Sequence, residues 1–190
     1  SSAASDVDKR QVHGDEPNAA APTQLRWHML GHLQRNKVKP LIPLIHCVHS
    51  VDSLRLAEEI DAGGEKIGRK VPVLLQVNAS EEPQKHGVAV GAAVHLGEQI
   101  ATMPGVQLVG LMTMAELIED QAVIRTAFRR TREIFEEMKW HKIGGPGFKH
   151  LSMGMTHDFE IAIEEGSTMV RIGTALFGVP AEGTEEHEDD

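Results

Sequence analysis

The chain has 190 residues, 41% of them hydrophobic and 25% charged, a formal net charge of -9, and one cysteine, Cys47. This is enough apolar sequence for one domain with its own core, and it offers no sustained basic face for nucleic acid. A single cysteine excludes an internal disulfide and fits a reducing cytoplasm, no apolar run reaches the ~20 residues of a membrane span, and Ser1–Asp8 lacks the apolar core of a signal peptide.

Residues 1–24 are rich in Ala, Ser, Asp and Pro, show no periodicity, and read as a disordered or atypical arm. From Leu25 strand and helix signals alternate. Trp27–Gly31 is a short strand candidate, followed by a polar helix start at Gln34–Lys39, where Arg35, Lys37 and Lys39 read as an ordinary solvated surface. Cys47–Val51 is a second strand. Asp52 is placed to N-cap a helix through Ile60, with Leu54, Ala57 and Ile60 on one face. Val71–Asn78 is a continuous apolar run, the pattern of a strand covered on both faces. Gly91–Met103 reads as a helix and Val106–Met112 as a buried strand. The clearest helix is Asp120–Met138, with Ile124, Ala127, Phe128, Thr131, Ile134, Phe135 and Met138 at helical spacing. Gly144–Gly147 is a loop, His150–Met153 a strand, Asp158–Glu165 a short helix capped by Asp158, and Met169–Ile172 the last strand. Residues 181–190 are strongly acidic and read as a disordered tail, which leaves a domain over 25–180.

About six strand–helix units result, and repeated βα units require a parallel sheet, either open and doubly wound or closed into a barrel. A (β/α)8 barrel takes ~250 residues, so this α/β chain is short by roughly two units.

Two segments carry the strongest chemical signal: Leu151–Asp158 (LSMGMTHD) and Val170–Gly178 (VRIGTALFG). Each is a short apolar strand ending in glycine and a hydroxyl, the local chemistry of a phosphate site. Arg171 sits in an apolar run, where an arginine is rarely buried without a partner. Its planar fork suits a phosphate or a heteroaromatic nitrogen. Gly173 and Thr174 then supply close backbone approach and a hydroxyl, and Ser152, Gly154 and Thr156 form the companion set. Met112, in Gly110–Met114, reads either as a core methionine or as a ligand-facing wall. Alternation puts Gln76 and Asn78 on one face of their strand, with Leu75 and Val77 on the other. That polar face lines a site if the sheet forms a barrel, and is a core network otherwise. The 11 histidines show no HExxH or other ligand spacing and read as scattered surface or loop residues, so no metal is expected. Gly63–Lys70 only faintly echoes a phosphate loop: Arg69 stands where lysine belongs, and the segment precedes a strand. There is no GxSxG nucleophile motif.

Five motifs, in order from about Trp27 to Gly178, resemble the YggS/PROSC family of pyridoxal phosphate homeostasis proteins. His28–Lys37 (HMLGHLQRNK) is similar to the HxIGxLQxNK signature, and Leu75–Asn78 through Glu82, Lys85 and Gly87 to LQVNxxxExxKxG. Gly110–Met114, Leu151–Asp158 and Val170–Gly178 are similar to GLMxM, LSMGMSxD and VRIGxxxFG, with Thr156 keeping the hydroxyl of the motif serine. The resemblance implies an incomplete TIM-type barrel like the N-terminal domain of alanine racemase. Pyridoxal 5′-phosphate (PLP) would bind at the C-terminal strand ends. Ser152, Thr156, Gly173 and Thr174 would hold the phosphate, Arg171 would face the pyridine nitrogen, and Gly154, Ile172, Asn78 and Met112 would complete the surround. The family's first strand, VAVSK, carries the lysine that forms the Schiff base, and its second ends FGEN. Residues 1–24 stand in place of both, and Lys9 lies in a polar context, so a non-covalent phosphate site is expected. The implied function is cytoplasmic storage and delivery of PLP without turnover. A racemase-like enzyme is the alternative, disfavoured because no lysine base is in place and the chain has no tyrosine. A truncated, non-binding homologue is the other. Missing strands would leave open edges that promote self-association.

Overall fold

A computed structural model describes residues 25–80, 82 and 86–178. The arm over 1–24, the tail over 181–190, Lys9 and Lys85 lie outside the described residues. The elements are β1 (His28–Met29), α1 (Arg35–Leu41), β2 (Cys47–Val51), α2 (Leu54–Lys66), β3 (Val71–Asn78), β4 (Val88–Ala89), α3 (Ala93–Ala101), β5 (Val106–Met112), α4 (Gln121–Trp140), β6 (His150–Met155), α5 (Phe159–Glu164), β7 (Met169–Arg171) and α6 (Thr174–Phe177), with 3-10 turns at Val90–Ala92 and Gly145–Gly147. These residues fall into two compact units. One is Arg26–Arg171, which holds every strand; the other includes Leu25 and Ile172–Gly178, with α6.

Within Arg26–Arg171 the strands are all parallel, in the order β1-β2-β3-β5-β6-β7, with β4 pairing β3 off that path. The order never doubles back. That is the winding of a βα barrel, in contrast to a doubly wound sheet, whose order reverses at a switch point. Among the described residues β1 and β7 each pair on one side only.

The two faces of the sheet differ. On one, Val73, Leu75, Val77, Leu108, Leu111, Leu151 and Met153 pack in a single cluster with Ile60, Ile100, Phe128, Ile134, Phe135 and Met138 from the helices. The predicted face of α4 is buried in full, from Ile124 to Met138. Its N-terminus is fixed by the Asp120 carboxylate, which accepts from the N–H groups of Ala122 and Val123. The other face holds a small cluster of Cys47, Leu74, Val109 and Met112 among polar neighbours. Parallel register aligns Gln76 with Met112 and Met112 with Ser152.

Three local details bear on the expectations, and the first corrects one. Ser53, with extended backbone, occupies the N-cap of α2 where Asp52 was expected. The Gly63–Lys70 stretch is helix end and turn: a Cβ on Gly64 would lie 2.3 Å from the Gly105 carbonyl oxygen, so glycine allows α2 to meet the turn before β5. Asp158 does sit at the N-cap of α5, but its carboxylate accepts backwards, from the Met155 N–H. At the other end of α5, buried Glu165 gathers Arg125, Arg129 and Arg132 of α4. Arg125 holds its carboxyl below the usual carboxylate range.

Candidate functional site

The polar face of the sheet is built from alternate residues of its strands. Ser152, in the middle of β6, is fully buried, and Arg171, at the end of β7, reaches across it. The guanidinium donates from Nη1 to Ser152 Oγ at 3.0 Å and from Nη2 to the Thr113 carbonyl at 2.9 Å. Thr113 follows β5 and is itself fixed: its hydroxyl donates to the Val77 carbonyl (2.8 Å) and its N–H to the Ser152 carbonyl (3.1 Å). Burial pulls the Arg171 pKa down, and Asp158 pushes it the other way. An arginine nonetheless stays charged. Among the described residues no carboxylate lies within ion-pair distance of it. The result is a desolvated cation held by neutral acceptors, a setting that favours an anion or a heteroaromatic nitrogen.

Behind Arg171 runs a hydrogen-bonded row. His49 Nδ1 lies 3.1 Å from Ser152 Oγ, and His28 Nδ1 lies 2.8 Å from His49 Nε2. Because Ser152 Oγ accepts from Arg171, its own proton points to His49 Nδ1, and His49 donates from Nε2 to His28. Burial first, then His28, Arg171 and His150, pushes the His49 pKa down to about 3, so its imidazole is neutral. His28, His46 and His150 are shifted down as well, each mainly by burial. This corrects the reading of the histidines as scattered surface residues: β1, β2 and β6 bring three of them to one face. Cys47 is buried beside them, and burial pushes its thiol up to about 12.

The other expected residues are placed as follows. Met112 is buried against Cys47, Leu74 and Val109. Gln76 and Asn78 share the polar face and hold the segment after β3: Gln76 Nε2 donates to the His86 carbonyl (3.1 Å), Asn78 Nδ2 to the Glu82 carbonyl (2.8 Å). Gly154 has φ +94°, and a Cβ there would lie 2.6 Å from Ala162 Cβ, so glycine is needed where β6 turns against α5. Thr156 is half-buried just after β6. Ile172, Gly173 and Thr174 belong to the other compact unit. There the Gly173 carbonyl accepts from the N–H groups of Leu176 and Phe177, which closes the single turn of α6. The sequence reading missed His28, His49 and Thr113. The one signal for His49 was its alternation with Cys47 in β2.

Residues 15–181 match the alanine racemase N-terminal domain. The pyridoxal phosphate homeostasis protein of Aquifex aeolicus (strain VF5) is 43% identical over 155 residues, covering 81% of this chain and 67% of that one. The chain belongs to the pyridoxal phosphate homeostasis family. A second member, from Pseudomonas aeruginosa, is 39% identical over 158 residues, covering 83% of this chain and 66% of that one. The chain therefore spans about two thirds of the length of these relatives. PipY of Synechococcus elongatus PCC7942, solved with PLP bound, matches with a TM-score of 0.74 at 32% identity, over 90% of this chain and 76% of PipY. The fold is that of the alanine racemase N-terminal domain, an incomplete (β/α) barrel. No helix among the described residues is long and apolar enough to cross a membrane.

Proposed function

We propose that the chain binds PLP and serves its storage and delivery in the cytoplasm, without amino-acid turnover. The observation that carries this reading is the half-buried Arg171 guanidinium, fixed by Ser152 and Thr113 with no paired carboxylate within reach among the described residues. Bound PLP supplies an electron-withdrawing ring whose power depends on a protonated pyridine nitrogen. A guanidinium has protons to donate and no lone pair to accept one, so Arg171, facing the pyridine nitrogen as the resemblance implies, would keep that nitrogen unprotonated. Ser152 keeps the fork in place, and neutral His49 orients Ser152. The residues suit retention of the cofactor better than carbanion chemistry. Thr156, Gly154, Asn78 and Met112 extend the cofactor surround in this reading. The resemblance adds Ile172, and Gly173 and Thr174 as phosphate contacts, on sequence alone. The buried thiol of Cys47 suits a reducing cytoplasm.

The test is a PLP titration of the full chain followed by absorbance, then borohydride reduction and peptide mass spectrometry, beside Arg171→Gln. Saturable binding that weakens roughly ten- to hundredfold in Arg171→Gln is expected, the loss of one charged hydrogen-bonding partner. Equal affinity in the two proteins overturns the role of Arg171, and no binding overturns the carrier reading. Amino-acid racemisation above that of free PLP would replace the carrier with an enzyme.

A further inference from the structure

We propose that His32, Asp52 and His86 form a binding site for a divalent transition-metal cation, Zn2+ by preference. The three residues come from separate connections at the C-terminal ends of the strands: His32 after β1, Asp52 directly after β2, and His86 between β3 and β4. Nδ1 of His32 lies 3.7 Å from Asp52 Oδ2, and Nδ1 of His86 lies 3.8 Å from the same oxygen. The two imidazoles stack, with centroids 4.4 Å apart and planes 18° from parallel. One ligand atom from each residue can be chosen so that all three lie within 4.8 Å of one another.

Both N···O separations are too long for hydrogen bonds. They are close to what a metal requires. Zn–N and Zn–O bonds near 2.1 Å place neighbouring tetrahedral ligand atoms about 3.4 Å apart, so the ligand atoms need to approach only slightly, while the two stacked imidazoles must turn about their side-chain torsions to aim both Nδ1 lone pairs at one ion, for which their exposure leaves room. Two imidazoles and one carboxylate leave a fourth position open, as in zinc sites that also bind water or an exogenous ligand. The nitrogen-rich set favours Zn2+ and its neighbours over Mg2+ or Ca2+. His86 is held from behind: buried Gln76 donates to its carbonyl at 3.1 Å. Both histidines face solvent, so an ion enters without opening the core.

A second group, His28, Cys47 and His49, also has ligand atoms within 4.8 Å of one another. Its histidines are already bonded to each other at 2.8 Å, and His49 is bonded to Ser152 at 3.1 Å. An ion there would break a satisfied network and would have to deprotonate a buried thiol. The solvent-facing triad carries neither cost.

The experiment is a Co2+ titration of the full chain without PLP, followed by visible absorbance, with Zn2+ competition, so that its failure leaves the PLP reading untouched. One equivalent of Co2+ is expected to give ligand-field bands without a thiolate charge-transfer band, and Zn2+ to displace it. His32→Gln, His86→Gln and Asp52→Asn, each checked for folding by circular dichroism, are expected to weaken binding roughly tenfold or more, whereas Cys47→Ser leaves it unchanged. Both histidines are exposed, so at least those variants fold. Absence of stoichiometric binding, equal affinity in the two histidine variants, or a thiolate band abolished by Cys47→Ser each overturns the proposal.

Discussion

The two faces of one sheet have been shaped by different demands. The helix-covered face is a close-packed hydrocarbon layer in which Leu75, Leu111, Leu151 and Phe128 interlock. The opposite face, one residue along each strand, carries Gln76, Ser152, His49 and Arg171, every one of which needs a specific partner. The first face makes the fold stable. The second costs stability, because it half-buries a guanidinium and fully buries the neutral His49 imidazole, and such a cost persists where it serves binding.

Phe128→Ala strikes the first face and is expected to have the largest effect: about 3–5 kcal/mol of stability lost, read by urea unfolding, since Phe128 is fully buried. The second face shows itself through pH. Unfolded, His49 takes up a proton near 6.5; folded, it does so only at about 3. Between those values the unfolded state binds more protons, so stability is full above 6.5 and falls as pH drops through that window. The slope is up to about 1.4 kcal/mol per pH unit for each such histidine. His49→Asn is expected to flatten the slope by up to one proton's worth, measured as urea midpoints across the window. Arg171→Gln sharpens the contrast further. It removes a half-buried charge with no carboxylate partner among the described residues, so stability is expected to change by only about 1 kcal/mol while PLP affinity falls. A large loss of stability would place Arg171 with the structural face. The smallest expected effect is concentration-dependent self-association through β1 and β7, which among the described residues pair on one side only, read by light scattering. A strictly monomeric chain at all concentrations would contradict it.

The covered face was legible in the sequence because its signal is local. The apolar run Val71–Asn78 and the spacing from Ile124 to Met138 each announce an element without reference to the rest of the chain. Ser152 and Arg171 could be singled out for the same reason, as polar residues in apolar strands. The histidine row could not, because His28, His49 and Ser152 meet only through strand register, 21 and 103 residues apart. The same holds for Asp52. Read locally it is a helix cap; in the folded chain Ser53 takes that place, and the Asp52 carboxylate faces His32 and His86. Arg69 and its place before a strand rightly set Gly63–Lys70 aside as a phosphate loop; its glycines echo one because close backbone approach has the same sequence signature whether the neighbour is a phosphate or, as here, the turn at Gly105.

Cys47 has one more consequence. Its sulfur lies within β2, shielded from solvent and held in the unreactive thiol form. Thiol reagents can therefore modify it only while the sheet is parted, and the pace of modification counts those openings. The chain thus carries its own stopwatch for strand separation, and any ligand that ties the strands together will be seen to slow it.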